Sequence, residues 1–143
     1  MQKLFLALSV LAVGTWPAWA DPQEDREANM KERGRIVGGL SRIAKGEAPF
    51  DAAAVLEQLR ALEANAAKAD VDALWPAGSE AGSESSPKIW EDMAGFKAAS
   101  EKYRTEVTAA VAAAPADAAA LQATIGTIGR NCGACHEAYR IKD

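Results

Sequence analysis

The two cysteines and the single histidine of this 143-residue chain all lie within five consecutive positions. They form the motif Cys132-Gly133-Ala134-Cys135-His136. On a helix, side chains three and four positions apart share one face, so both thiols and the imidazole would project together. Cys-x-x-Cys-His is the spacing for covalent attachment of a c-type haem, in which two thioethers hold the porphyrin and the imidazole reaches the iron. We therefore predict one haem c, bound through Cys132 and Cys135, with His136 as an iron ligand.

Three other interpretations of the motif compete with haem. A redox-active Cys-x-x-Cys normally lies within a βαβ pattern at a helix N-terminus, where the helix dipole lowers the thiol pKa. A structural zinc ion usually takes four ligands, and this chain offers only three good ones. The third alternative is an ordinary disulfide between the two cysteines. The clustering of all three residues in one short segment favours haem.

The first twenty residues have the three parts of a secretory signal. Lys3 lies in a short charged region, an apolar run extends from Leu4 to Val13, and the segment ends in Ala18-Trp19-Ala20. We predict a signal peptide at 1–20, a mature domain at 21–143 and a periplasmic location. The apolar run is too short to cross a bilayer, and no later stretch approaches the roughly 20 apolar residues of a transmembrane helix. No membrane span is therefore expected.

The charge balance narrows the range of partners. Lys3 is the only charged side chain in the first 20 residues, so the mature chain has 15 basic and 20 acidic residues and a net charge of −5. Nucleic acid is not an expected partner, because it requires a basic face. An acidic surface favours redox partner proteins that carry a basic docking patch.

Apolar residues recur at three- and four-residue spacing in four segments, and strand-like alternation is absent. The pattern predicts helices at about 22–45, 51–70 and 87–113, and a fourth from Asp117 through the haem motif. The fold class is therefore all-α, an antiparallel four-helix bundle with the haem on the C-terminal helix. Glycines at 34, 38 and 39 weaken the first helix and indicate close approach of a flat ring or a neighbouring helix. The loop at 76–87 either folds over a cofactor edge or merely connects two helices.

Three segments of the mature chain resemble those of a known family. They are Lys45-Gly46-Glu47-Ala48-Pro49-Phe50-Asp51, Ser86-Pro87-Lys88-Ile89-Trp90, and the C-terminal Cys132-Gly133-Ala134-Cys135-His136-Glu137-Ala138-Tyr139-Arg140. The family is that of the class II c-type cytochromes, the cytochrome c′ group. The resemblance implies an antiparallel four-helix bundle with the haem on its last helix.

The resemblance also implies roles for residues that periodicity leaves undecided. By periodicity alone Met30 is core packing on an apolar stripe; the resemblance places it as the sixth iron ligand, as in low-spin members of the cytochrome c-556 type. Arg26 is either a surface arginine or, by resemblance, the partner of a haem propionate. Arg140 lies one turn after His136 and either modulates the proximal imidazole or extends to solvent.

If His136 and Met30 both bind the iron, substrate cannot reach the metal. The resulting function is outer-sphere transfer of single electrons, which makes the protein an electron carrier and not an enzyme. The alternative is a five-coordinate protein that binds nitric oxide or another diatomic gas. Enzymatic turnover lacks support, because no second histidine is available as a distal acid or base. The resemblance also implies a possible homodimer through the first two helices.

Overall fold

The structure is a computed structural model that describes residues 21–141. Four long helices form the bundle, and two short helices lie in the connection between the second and third long ones. The helices are α1 (Pro22–Ala44), α2 (Ala52–Lys68), α3 (Val71–Leu74), α4 (Lys88–Glu91), α5 (Met93–Ala113) and α6 (Ala118–Tyr139). The predicted all-α four-helix bundle is confirmed. The predicted signal peptide at 1–20 lies outside the described residues.

Aspartates set the beginning of every long helix. The carboxylates of Asp21, Asp51, Asp92 and Asp117 each accept a hydrogen bond from a backbone N–H in the first turn. Such a cap satisfies one of the free N–H groups at a helix start and stabilises the helix by about 1 kcal/mol. After α1 the chain turns at Gly46, whose φ of +74° favours glycine. The helix starts predicted at Asp21, Asp51 and Asp117 are therefore confirmed.

Two of the predicted helices differ from the structure: the second ends two residues early, and the third is interrupted. The second does not continue to residue 70 but ends at Lys68, because the Asp70 carboxylate accepts hydrogen bonds from the next backbone N–H groups and starts α3. The third is divided at Asp92, which has non-helical dihedral angles (φ −130°, ψ 54°) and caps α5. In both places a side-chain cap competes successfully with continuation of the helix, an effect that apolar periodicity does not report.

Each long helix packs against two of the other three. Helix α1 contacts α2 and α6, and α5 contacts the same two from the opposite side. Two separate apolar clusters result. The larger contains Leu40, Leu59 and Val107 in the body of the bundle, and the smaller contains Trp75 and Phe96 near α3 and α4. The space between these clusters contains the candidate site. Among the helices of residues 21–141, none has the length and apolarity needed to span a membrane.

The glycines of α1 differ in their surroundings. A Cβ atom at position 39 would lie 2.8 Å from Oε1 of Gln58 on α2, so the expected close approach of a neighbouring helix is confirmed there. Positions 34 and 38 have nothing within 4 Å of such an atom. Gly34 lines one of the cavities described below. Nothing in the structure explains Gly38.

We expect Gly95→Ala to destabilise the bundle. Its Cβ would lie 2.3 Å from Oδ2 of Asp92 and 2.6 Å from the Tyr139 hydroxyl, which donates a 3.0 Å hydrogen bond to that oxygen. Both side chains would have to move, and the cap of α5 would weaken by about 1 kcal/mol. Chemical denaturation of the mature protein, followed by circular dichroism, measures the change. As a control, Gly129→Ala has open space around it and should instead stabilise by about 0.5–1 kcal/mol; equal effects of the two substitutions would contradict this account.

Candidate functional site

The helical spacing of the motif places Cys132, Cys135 and His136 beside two neighbouring cavities, although Cys132 lines only the smaller one. One cavity, of about 420 Å³, is lined by Cys135 and His136, and a second, of about 280 Å³, by all three residues. Five residues line both cavities: Met30, Trp75, Phe96, Cys135 and His136. The two cavities therefore adjoin around the motif, between α1, α6 and the smaller apolar cluster.

The walls of this space suit a large, flat and mostly apolar group. Trp75 and Phe96 pack edge to face with ring centroids 4.8 Å apart, and Val37 and Ile89 add aliphatic surface. Two buried polar atoms near the cavities, Arg26 Nε and the Tyr103 hydroxyl, have no hydrogen-bond partner in the described part of the chain. Because buried polar groups are normally paired, these atoms indicate that a polar edge of a ligand belongs here. The lining thus fits a haem with its apolar ring and its two carboxylates.

Met30 faces the cavities from α1. Its side chain is 37% exposed and belongs to neither apolar cluster. The interpretation of Met30 as core packing is therefore wrong. Met30 on α1 and His136 on α6 line the same two cavities, so both side chains could contact one group held there.

Arg26 is buried, with 5% of its surface exposed, so the surface-arginine alternative is wrong. Its guanidinium donates to the Ser79 hydroxyl at 3.2 Å and to the Ser79 carbonyl at 3.0 Å, and lies 5.7 Å from the centroid of the Trp75 ring. Burial lowers the pKa of Arg26, while Asp21 and Glu80 oppose this change. The side chain lines the larger cavity and keeps Nε free, which suits it to contact a ligand carboxylate.

The two thiols are free, and burial raises the pKa of both Cys132 and Cys135, while the charge of Arg33 opposes the increase. They lie near the C-terminal end of α6, where the helix dipole disfavours a thiolate. A redox-active Cys-x-x-Cys has the opposite features, a helix N-terminus and a lowered thiol pKa. The geometry therefore argues against the redox alternative. Among residues 21–141, no cluster of three or more His, Cys, Asp or Glu side chains suited to a bare metal ion is found.

The pKa of His136 is lowered, mainly by burial and then by the positive charges of Arg140 and Arg33. A lowered pKa keeps the imidazole neutral at pH 7, which is the form that binds metals. The positive charge of Arg140 thus contributes to the lowered pKa of His136, after the larger effect of burial. Arg140 also extends outward, where its guanidinium forms a salt bridge with Glu84 at 2.6 Å.

The loop at 76–87 forms a wall of the larger cavity. Ser83, Glu84 and Ser85 line it. Backbone hydrogen bonds fix the loop to the end of α6, from Ser86 N–H to the Tyr139 carbonyl (2.9 Å) and from Ile141 N–H to the Glu84 carbonyl (2.8 Å). The loop is therefore held at the cavity by hydrogen bonds to the end of α6, and its role toward a cofactor stays a prediction.

Sequence analysis missed Arg33 and Tyr103. Arg33 donates to Asn65 Oδ1 at 3.1 Å and to Asn29 Oδ1 at 3.0 Å, and its guanidinium carbon lies 4.3 Å from the centroid of the Tyr103 ring. Burial raises the pKa of Tyr103 to about 12. Both residues line the smaller cavity together with Met30. The available signal was the spacing of Arg33, one helical turn after Met30.

The chain is similar to a known protein family and to characterised proteins. The family model described as Cytochrome C′ matches residues 21–140. A cytochrome c-556 of Agrobacterium fabrum is 44% identical over 119 residues, which cover 83% of this chain and 80% of that protein. A cytochrome c′ of Rhodopseudomonas palustris is 37% identical over 137 residues, which cover 94% and 92% of the two chains.

Solved structures of cytochromes c′ superpose on this chain. A cytochrome c′ from Rhodobacter sphaeroides superposes with a TM-score of 0.79 at 31% identity, covering 85% of this chain and 96% of that one. A nitric oxide complex of a single-residue variant of cytochrome c prime from Alcaligenes xylosoxidans superposes with a TM-score of 0.76 at 33% identity, covering 87% and 99%.

Proposed function

This chain belongs to the cytochrome c′ family, and on that premise we propose that it is a periplasmic electron carrier with one covalent haem c. In this proposal Cys132 and Cys135 supply the two thioether links, and His136 binds the iron. Met30 supplies the sixth ligand, and Arg26 pairs with a propionate. The bound haem supplies the redox chemistry, a one-electron change at iron.

The observation that supports this proposal most directly is the position of Met30. It lies at the same two cavities as His136 and is too exposed to serve as core packing. A thioether is a soft ligand that favours ferrous iron, and two protein ligands leave no open position for substrate. Of the two relatives reported above, the one with the higher identity is named cytochrome c-556, which supports the branch that the resemblance implies for Met30.

Residues of this chain would also shield the haem from water and favour particular redox partners. Trp75 and Phe96 would exclude water from a haem bound in the cavities, and the loop residues Ser83 to Ser85 would shield it at the larger cavity. The net charge of −5 expected for the mature chain favours redox partner proteins with basic docking surfaces. Export through the predicted signal peptide and a possible homodimer through α1 and α2 complete the proposal.

The second candidate function is binding of nitric oxide or another diatomic gas. It is favoured by the structural match to a nitric oxide complex and by the open space beside Met30. A Cβ at Gly34 would have no neighbour within 4 Å, and this residue lines the smaller cavity. Gas binding requires that Met30 be absent from the iron or easily displaced.

Visible absorption spectra of the purified haem-loaded protein distinguish these two functions. They are recorded for the oxidised protein, for the dithionite-reduced protein, and for the reduced protein under carbon monoxide. We expect sharp, split bands in the reduced state that carbon monoxide does not change, because Met30 closes the site. A broad high-spin spectrum that shifts with carbon monoxide would instead support the gas-binding function.

A further inference from the structure

Arg33 lies beside the site with its charge unpaired by any carboxylate. Its two strongest hydrogen bonds go to the neutral amide oxygens of Asn29 and Asn65. Within residues 21–141, no carboxylate oxygen lies within 4.0 Å of its guanidinium in an ion pair. Arg140 differs in this respect, because its guanidinium forms an ion pair with Glu84. Within residues 21–141, no directly paired carboxylate offsets the positive charge of Arg33.

Hydrogen bonds and a ring contact from neighbouring helices fix the position of the Arg33 guanidinium. Asn65 is fully buried on α2, and its amide nitrogen donates to the Asn29 carbonyl at 3.0 Å and to Glu32 at 2.9 Å. The Asn29 side chain returns a hydrogen bond to the Asn65 carbonyl at 3.0 Å. The Tyr103 ring supports the guanidinium from α5 through a cation–π contact. Three helices thus hold one cation in place.

The guanidinium also lies directly at the site. Its Nη1 lies 3.9 Å from the Met30 sulfur, to which it donates a weak hydrogen bond. Arg33, Met30, Cys132 and His136 all line the smaller cavity. A haem in this space would therefore have the Arg33 charge near its methionine side.

We propose that Arg33 is a fixed cation of the haem pocket that raises the reduction potential of the iron. The inference rests on the proposed function, since it concerns the haem that Cys132 and Cys135 would hold. Oxidation adds one positive charge to the haem, so a nearby fixed cation disfavours the ferric form and favours the ferrous form. The effect is significant only for a charge that is held close and partly shielded from water, as Arg33 is.

The test is a redox titration of the haem-loaded Arg33→Gln variant, followed by visible absorption. We expect the reduction equilibrium constant to fall roughly tenfold, which corresponds to about 59 mV for a one-electron couple. Arg35→Gln is the matched control, because it removes the same charge from an exposed position of α1 two residues away. It should change the constant by less than about twofold. Equal shifts in the two variants would overturn the proposal.

Arg33→Lys separates the charge from the hydrogen bonds. It keeps the cation but loses the planar fork that binds two amide oxygens, so its potential should stay near that of the unmodified protein. A shift as large as that of Arg33→Gln would overturn the proposal in favour of a purely structural role.

If Arg33→Gln does not accumulate, Arg33→Met keeps the aliphatic packing and is compared with Arg33→Lys instead. A wild-type protein without covalent haem would refute the proposed function itself, a result that mass spectrometry identifies before any titration.

Discussion

Replacement of both Cys132 and Cys135 by Ser should abolish covalent haem attachment. Serine is close in size to cysteine but cannot form a thioether, so the ring would lose both of its links to α6. The mass of the intact, denatured mature protein provides the measurement, because only a covalently bound haem survives denaturation. We expect the wild-type mass to include one haem and the double variant to have the mass of the polypeptide alone. The variant should also be less stable, since the space between the two apolar clusters would lack its filler.

A matched control is Ser100→Ala, which alters a residue lining the smaller cavity without touching the motif. It should retain the full haem mass. Haem that remains attached to the double variant would contradict the assignment of the two cysteines. A wild-type protein that instead forms a reversible disulfide, with no haem, would restore the redox interpretation of the motif.

Met30→Ala should convert a low-spin iron into a high-spin one that binds carbon monoxide. Alanine removes the sulfur and leaves a gap beside His136, because both Met30 and His136 line the two cavities. Loss of a soft thioether ligand should also lower the reduction potential, since the thioether favours ferrous iron. Visible spectra with and without carbon monoxide report the spin state, and a redox titration reports the potential.

Met93→Ala is the control for this experiment, because it removes a methionine that packs against the smaller apolar cluster on α5. It should destabilise the fold by roughly 2 kcal/mol or more while leaving the low-spin spectrum intact. An unchanged spectrum in Met30→Ala would refute Met30 as a ligand. A high-spin, carbon monoxide-binding spectrum already present in the wild type would make gas binding the better function.

The same residues explain why prediction from sequence succeeded for some features. Helix starts depend on local chemistry, and Asp21, Asp51 and Asp117 each cap the helix that immediately follows. The haem motif is also local, since three residues within one turn of α6 necessarily share a face. Apolar spacing then predicted four helices, and the short turn after α1 predicted that the first two are antiparallel neighbours. Such features require no knowledge of what lies across the bundle.

The break in the predicted third helix shows what apolar periodicity does not report. Asp92 follows α4 and caps α5 by accepting a hydrogen bond from the backbone N–H of Gly95. Its carboxylate also accepts a hydrogen bond from Tyr139, which lies 47 positions along the chain. The spacing of apolar residues contains no information about either hydrogen bond, so the break was not predicted.

By itself, the sequence determined the helices, the attachment motif and the family resemblance, because each depends on residues close together in the chain. Only the tertiary structure decided the burial and the hydrogen-bond partners of Arg26, Met30 and Arg33. It buried Arg26 against Ser79, exposed Met30 at the cavities and gave Arg33 its neutral partners. Each arginine has a hydrogen-bond partner that is distant in the chain, Asn65 on α2 for Arg33 and Ser79 in the loop for Arg26, at separations of 32 and 53 positions. The environment of a side chain, unlike its position on a helix, exists only after the helices have packed.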